Sequence, residues 1–495
     1  MPEGTNLPNA KSRAYAEMQP RWQLCREVRG GTESIRKHAA SYLPRFIAED
    51  VRDWQARVNM TVVVDFFEQA VVTFVGLLRS DPDLGENVPA ELREDWENLD
   101  GEGNHGAVVA QFALDAMLTD GHVVLFADSP PTMGTMTRAE QQAGGVRPYV
   151  VLVKVDQILS WRTGLKGGER LLLQFVFQEC TEEPDGAFGS RTVTRYRVYR
   201  QQFEPVEREG RLTEDLTRGF VLWELWEEQT TSENVTAMVM VNAGRLYGPT
   251  RIPARVAYGG NREGLLRSKP PLLGLAYSNI RWGQVMSERA SALNRCGMPV
   301  PVIVGELVGQ VGPDGKPSTD IVLSSSHGVH LKTGGDFRFA EAQGSALEQA
   351  RQELQDWEKR MGAQSLAMLQ RDTASAETAT AHRLNRGRED SKLRRALRSL
   401  EDALEGTLQD MAAYRGLDPE TIDVTVNRDI GDVVPPEVLT LLSSLEEKGQ
   451  LTLERLLVEL HRARLLGNDF DPQEEVLAVR QQMGTEPATN GAGAD

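Results

Sequence analysis

Residues 101–106, Gly101-Glu102-Gly103-Asn104-His105-Gly106, spell GxGxxG, the spacing with which a dinucleotide-binding loop brings its backbone amides to a pyrophosphate. That chemistry needs a β-strand directly before the first glycine. The preceding ELREDWENLD is polar and helix-like, so the motif reads as a glycine-rich turn capping the next helix. Gly315-Lys316 has the ending of a phosphate loop, but Gln310 stands five before Gly315 and Pro317 follows the lysine where Ser or Thr would bind magnesium. A hairpin turn fits it better. His327 and His330 lie in a strand-rich stretch, which puts them on opposite faces of a pleat, and no Cys, Asp or Glu stands beside them at ligand spacing. There is no GxSxG elbow and no HExxH helix, and the seven histidines are scattered. Carboxylates are abundant, yet nothing picks out a catalytic pair. The sequence therefore assigns no catalytic, cofactor or metal residues, and the chain is expected not to be an enzyme.

The densest positive run is Arg383, Arg386, Arg388, Lys392, Arg394, Arg395 and Arg398, relieved only by Glu389 and Asp390. A nucleic-acid reader would align such residues on one helical stripe with aromatics nearby. Here they fall around several faces with no aromatic interleaved, so pairing with acids of neighbouring helices or subunits is the expected use. The whole chain agrees. Lys plus Arg at 55 against Asp plus Glu at 72 gives a net charge of −17, which excludes binding DNA phosphates through the average surface.

The elements that must carry any site follow from 495 residues, 40% hydrophobic and 26% charged, a composition suited to about two to four folded units. Three cysteines, Cys25, Cys180 and Cys296, are far apart and form no CxxC pair, which argues against a disulfide framework and favours a reducing compartment. The opening MPEGTNLPNAKSR has no apolar run behind its charges, so no secretory signal is expected. Residues 60–78, MTVVVDFFEQAVVTFVGLL, are the strongest membrane candidate, but Asp65 and Glu68 would each cost about 2–3 kcal/mol in lipid; a buried amphipathic helix is predicted.

Residues 106–119 predict a helix ended by Gly121, and HVVLFAD at 122–128 predicts a strand. From about 147 to 260 short β-branched or alternating runs predict mostly antiparallel sheet. Leu272, Ala276, Ile280, Gly283, Met286, Ala290 and Leu293 recur in steps of three or four, which predicts one long helix over 272–297. A strand-rich excursion over 298–343 follows, with a tight turn at Pro313 to Lys316. Leu347, Ala350, Leu354, Trp357 and Met361 predict a second helix, and Leu393 to Met411 a third, closed by Gly416 and Pro419. TIDVTVN at 421–427 alternates with period two and predicts a strand that pairs with something much earlier in the chain. The C-terminal part from Pro435 to Met483 predicts helix, with a small polar tail after it.

Two long helices bracketing a strand-rich excursion, then a short segment and a third long helix, resemble the portal proteins of tailed double-stranded DNA bacteriophages, in particular a siphophage-type group. The local signatures are YLPRF at 42–46, GHVVLFADSPP at 121–131, RPYVVLVKVDQILSWR at 147–162 and ETATAHRLNRGREDSKLRRALRSLEDAL at 377–404. The resemblance implies an α+β fold of portal type. Residues 1–271 with the strand at 421–427 would form a mixed wing, 272–297 and 344–361 paired stem helices, and 298–343 a clip. A tunnel loop would span 362–376, the long wing helix and returning strand 377–434, a helical crown 435–483 and a disordered tail 484–495. The function implied is a ring, usually of twelve subunits, at one capsid vertex, through which the genome is packaged and ejected. The expected partners are other copies of the chain, double-stranded DNA held non-specifically, the terminase large subunit, a head-tail adaptor, and the major capsid and scaffold proteins. No cofactor and no membrane enter. The expected location is the virion, after assembly in the host cytoplasm.

On that reading Gly362, Gln364, Ser365, Leu366, Met368, Gln370 and Arg371 would face DNA with short or uncharged side chains, which lack the counterion-release gain that makes Lys and Arg contacts tight. Ala276, Ile280, Gly283, Met286, Leu347, Leu354 and Trp357 would pack subunits together, and Asp314, Gly315 and Lys316 would present the clip turn to motor or adaptor. The same stripes also fit ordinary packing within one chain. Two other functions stay open at this point: another ring-forming head-completion protein, and a packaging-associated nuclease with degenerate motifs.

Overall fold

The computed structural model describes residues 7–78, 81–130, 140, 144–208, 211–230, 236–296, 300–305, 331–340, 345–366, 392–427, 452 and 455–457. Its helices are α1 (Arg13–Arg29), α2 (Gly31–Lys37), α3 (Ala39–Tyr42), α4 (Val51–Met60), α5 (Phe66–Gly76), α6 (Ala90–Trp96), α7 (Gly106–Asp120), α8 (Leu273–Cys296), α9 (Ser345–Leu366) and α10 (Lys392–Arg415). The strands are β1 (Asp83–Leu84), β2 (His122–Asp128), β3 (Tyr149–Lys154), β4 (Ile158–Lys166), β5 (Glu169–Asp185), β6 (Gly189–Arg208), β7 (Arg211–Thr230), β8 (Thr236–Arg245), β9 (Ala254–Tyr258), β10 (Asn261–Gly264), β11 (Arg267–Lys269), β12 (Val300–Val304), β13 (Asp336–Ala340) and β14 (Val424–Thr425). The chain divides into two compact units, one of residues 1–16, 72–268 and 372–495, the other of residues 17–71 and 269–371.

The first unit is built around β2. Every residue of HVVLFAD is buried, because β2 is the middle strand of the sheet β3-β2-β9 and is covered on both faces. Alternation sends Val124 and Phe126 into a core shared with Phe175, Phe177 and Tyr199 of the second sheet, β4-β5-β6-β7-β8. The rings of Phe126 and Tyr199 lie 4.7 Å apart and those of Phe126 and Phe177 5.6 Å, within the range of favourable aromatic pairs. α7 and α10 pack against β2. Arg255 of β9 reaches Asp410 of α10 through two hydrogen bonds of 2.7 Å. Burial pushes the Asp410 carboxyl up while Arg255 pulls it back.

The sequence locates most of these elements but misjudges some ends. Gly121, with φ of +100°, closes α7 as expected. In the GxGxxG segment Asp100 accepts from the backbone amides of Glu102 and Asn104, and His105 caps α7 by accepting from the Ala107 amide, so it is a capping turn. β5, β6 and β7 run 17, 20 and 20 residues, far beyond the short apolar runs that announce them. Cross-strand ion pairs extend them where apolar patterning fades, such as Arg195 with Glu227 at 2.6 Å. TIDVTVN does pair with an early segment, β14 on β1, but the ladder is only two residues long. Ile422, Val424 and Val426 are nonetheless buried, so the alternation reports the burial.

In the second unit the segment read as a helix from 60 to 78 is extended until Phe66. Thr61-Val62-Val63-Val64 is a β-branched run, which disfavours helix, and side chains meet its backbone instead. Arg36 donates to the Thr61 carbonyl, Thr32 bonds both polar groups of Val63, and Asn279 donates to the Val64 carbonyl. Residues 17–71, assigned from sequence to the wing, fold with α8 and α9 instead, held by such contacts.

One buried group makes the first unit pH-sensitive. His122 is buried, its Nδ1 lies 2.8 Å from Ser268 Oγ, and burial lowers its pKa from the ordinary 6.5 to about 4. A lowered histidine pKa means that the unfolded chain takes up the proton first as pH falls. His122 therefore leaves stability intact above about pH 6.5 and erodes it down to about pH 4. Thermal unfolding of the wild type should fall in midpoint between pH 7 and 4.5, and His122→Asn should flatten that slope; an unchanged slope would remove His122 as its source.

Candidate functional site

The helices proposed as stem form an antiparallel pair, α8 of 24 residues and α9 of 22, which contact one another. They continue into β12 and β13, which pair antiparallel from Val300 with Ala340 to Val304 with Asp336. A helical hairpin thus carries a strand pair at its far end.

One side of α8 is consumed within the unit. A Cβ on Gly283 would stand 3.2 Å from Val63 Cγ2, so the glycine is where the extended segment crosses the helix. Asn279 accepts from the Phe67 amide at 3.2 Å and donates to the Val64 carbonyl at 3.0 Å. Ser287 receives a hydrogen bond from Arg57 at 3.0 Å, and Arg57 pairs with Glu49 through contacts of 2.7 and 2.8 Å, all in buried surroundings. Trp282 meets Phe66 edge-on at 5.9 Å and donates to Glu358 of α9 at 3.2 Å.

This corrects part of the proposed subunit-packing set. Ala276, Gly283 and Leu354 are buried within their own unit, whereas Ile280, Met286, Leu347 and Trp357 remain half-buried. At Gly283 the small residue of α8 admits Val63 of the N-terminal segment of the same chain. The exposed surface of the pair carries Tyr277 and Leu293, at 59% and 43% accessibility, beside alternating charges.

The assumed start of the tunnel loop also moves. α9 runs on to Leu366, so Gly362, Gln364, Ser365 and Leu366 belong to the helix; Gly362 has open space around it and does not break it. Met361 at 1% accessibility anchors the last turns, which the sequence reading took as the helix end. Met368, Gln370 and Arg371 lie outside the described residues, as do Asp314, Gly315 and Lys316, His327 and His330, and nearly all of the crown and tail. In the basic run, Lys392, Arg394, Arg395 and Arg398 fall on α10, and its earlier members lie outside the described residues.

Sequence reasoning missed a cavity of about 420 Å³ in the first unit, above the end of β2. Asp128 shares a β2 face with Phe126 and stands opposite Tyr149 in the β2–β3 ladder, whose hydroxyl donates to it at 3.0 Å. Arg197 of β6 bridges Asp128 and Glu179, its Nε lying 2.8 Å from the Glu179 carboxylate. Burial pushes the Tyr149 hydroxyl up to about 12 and those of Tyr199 and Tyr414 higher still, with Asp128 adding to each, so all three remain protonated donors. The one sequence signal was Asp128 itself, a charge ending an otherwise apolar strand.

Among the described residues no cluster of His, Cys, Asp or Glu could hold a metal ion, and no helix is long and apolar enough to cross a membrane. Cys25 and Cys180 are not joined in a disulfide.

Residues 271–415 match the model of a family described as a domain of unknown function, DUF4055. That match opens just before α8 and closes on the last residue of α10. No curated protein matches the chain. Among solved structures it is similar to a chain of "Virion of native gene transfer agent (GTA) particle", at 12% identity and a TM-score of 0.40 over 80% of this chain and 89% of that one. It is also similar to chains of "Neck of empty GTA particle computed with C6 symmetry", at 12% identity and 0.36 over 84% and 89%, and of "Neck of native GTA particle computed with C12 symmetry", at 11% and 0.32 over 83% and 89%.

The buried pair in the second unit supplies a test of what holds α8. Arg57→Leu takes the guanidinium away from the buried Glu49 carboxylate, which should cost about 3–5 kcal/mol, whereas Arg57→Leu with Glu49→Leu should recover most of it. Chemical denaturation of the three proteins decides it, and equal losses in the single and double variants would refute the pairing.

Proposed function

We propose that the chain is a portal subunit: a non-enzymatic component of a closed ring at one capsid vertex, through which double-stranded DNA passes during packaging and ejection. The observation that carries this reading is the long hairpin α8–α9 ending in the strand pair β12–β13, in the chain order that the resemblance to phage portals predicts. In this reading the hairpin is the stem, the strand pair the base of the clip, and the first unit the body of the wing. The clip turn at Asp314 to Lys316 faces a terminase or adaptor, and the wing meets capsid and scaffold proteins.

The chemistry of α9 supports a surface that lets a polyanion slide. Its exposed face carries Glu348, Glu353, Asp356 and Glu358 against Arg351, Lys359 and Arg360. Arg351 is tied to Glu348 at 2.9 Å, Arg281 of α8 to Glu353 at 3.1 Å, and Arg360 stacks over the Trp357 ring at 4.4 Å. Guanidinium groups already spent on carboxylates release fewer counterions from DNA, so binding is weak and weakly salt-dependent. Met368, Gln370 and Arg371, in the segment after α9, complete the channel contact on this reading.

A heterologous interface that closes gives a defined multiple of the subunit. Native mass spectrometry of the full chain should therefore show a single large species, about 660 kDa for twelve copies of 54.9 kDa. A monomer at every concentration tested, or hydrolytic turnover of nucleotide or DNA by the purified chain, would overturn the reading.

A further inference from the structure

Two features of the first unit have no role in the channel: the cavity above β2 and a ribbon that leaves the second sheet. The cavity, of about 420 Å³, falls in the size range of small-ligand pockets and is walled by Tyr149, Tyr199, Trp223, Tyr247 and Tyr414. The charges that enter it are answered from within the chain. Asp128 accepts from Tyr149 at 3.0 Å, from the Ser129 amide at 2.9 Å and from Arg197. Arg197 also holds Glu179, and Arg415 grips Asp95 through hydrogen bonds of 2.9 and 2.8 Å. Glu224 and Arg245 belong to the other face of the β7–β8 ladder from Trp223, where Arg200 meets the first and the Phe220 ring the second. The cavity therefore offers a guest ring faces and no free charge.

The ribbon is the outer end of β5–β6. The β4 ladder stops at Phe177 of β5 and the β7 ladder at Arg195 of β6, so six residue pairs, from Cys180 with Thr194 to Asp185 with Gly189, have only each other among the described residues. They extend about 20 Å beyond the sheet. Glu183 pairs with Arg191 at 3.0 Å and with Arg195, which stiffens the ribbon. At the apex the chain turns through Gly186, with φ of +72°, and Phe188 stands at 104% accessibility. The tip Gly186-Ala187-Phe188-Gly189-Ser190 contains no charge and no other bulky side chain. A phenylalanine held clear of its own fold on a slender, uncharged tip is shaped to enter an uncharged aromatic pocket.

That pocket is not its own. β6 runs unbroken from Gly189 to the cavity wall at Arg197, about 25 Å away, so the ribbon points away from the cavity of the same chain. We propose that Phe188 of one copy enters the tyrosine- and tryptophan-walled cavity of the next. The match is of a neutral tip to a cavity whose charges are all paired; a charged tip would leave water for a site with no partner to give it. Knob and socket are different parts of one surface, so the contact is heterologous and repeats head to tail, the kind that closes a ring or runs on as a filament. The proposal deepens the ring reading above and rests on it for closure alone.

The test uses full-length protein. Phe188→Ser should raise the concentration needed for assembly by about tenfold to a hundredfold, as measured by sedimentation, with the thermal midpoint unchanged because the side chain is exposed. Tyr247→Asp, also at an exposed position, should do the same from the socket side. In a Cys180→Ser, Cys296→Ser background, Ala187→Cys together with Asn242→Cys should give covalently linked multimers on oxidation, while either cysteine alone should give none. A Phe188→Ser protein that assembles like the wild type, with the cysteine pair unlinked, overturns the contact and leaves a ring seen by native mass spectrometry standing. Linking by Ala187→Cys alone means that tips meet tips and overturns it too. Linked filaments without a ring keep the contact and remove the ring reading.

Discussion

The second unit depends on how α8 is gripped from one side by an extended, β-branched segment of its own chain. Gly283 gives Val63 room, Asn279 supplies both a donor and an acceptor to the backbone around Val64 and Phe67, and Arg57 carries Glu49 to Ser287. The backbone groups of the buried residues Thr61, Val63 and Phe67 would otherwise lack these partners, a cost comparable to a lost hydrogen bond each. With that side closed, the pair α8–α9 has a defined remaining surface, on which Tyr277 and Leu293 are exposed.

The first unit depends on an equivalent economy. β2 is apolar throughout because both its faces are covered, and it ends on Asp128, where the covering layers part. The charge there is stabilised by a cross-strand tyrosine and a guanidinium from the other sheet. The same arrangement that relieves a buried carboxylate creates the aromatic-walled cavity. Structural ion pairing and the cavity wall thus share one group of residues.

Much of this was legible from residue pattern. The α8 periodicity, the Gly121 stop, the alternation in TIDVTVN and the turn character of residues 101–106 are local signals, and each reports correctly. What failed was partnership. Gly283 looks the same in sequence whether it admits a neighbouring subunit or an extended segment of the same chain, and Val63, 220 residues earlier, occupies the space beside it. Gly362 stands at the predicted start of the tunnel loop, yet a solvent-facing glycine is tolerated in a helix whose apolar stripe continues, here through Met361. The cavity assembles residues from β2, β3, β6, β7, β8 and the end of α10, and no short window of sequence could have grouped them.

The central claim is that copies of this chain close into a ring with the α8–α9 hairpins around a passage for duplex DNA. Electron microscopy of the purified full-length protein tests it most directly. The account predicts end-on views with rotational symmetry about an open centre, and reconstructed density for paired helices lining that opening. Particles without rotational symmetry, or rings in which the paired helices lie on the outer rim, would contradict it.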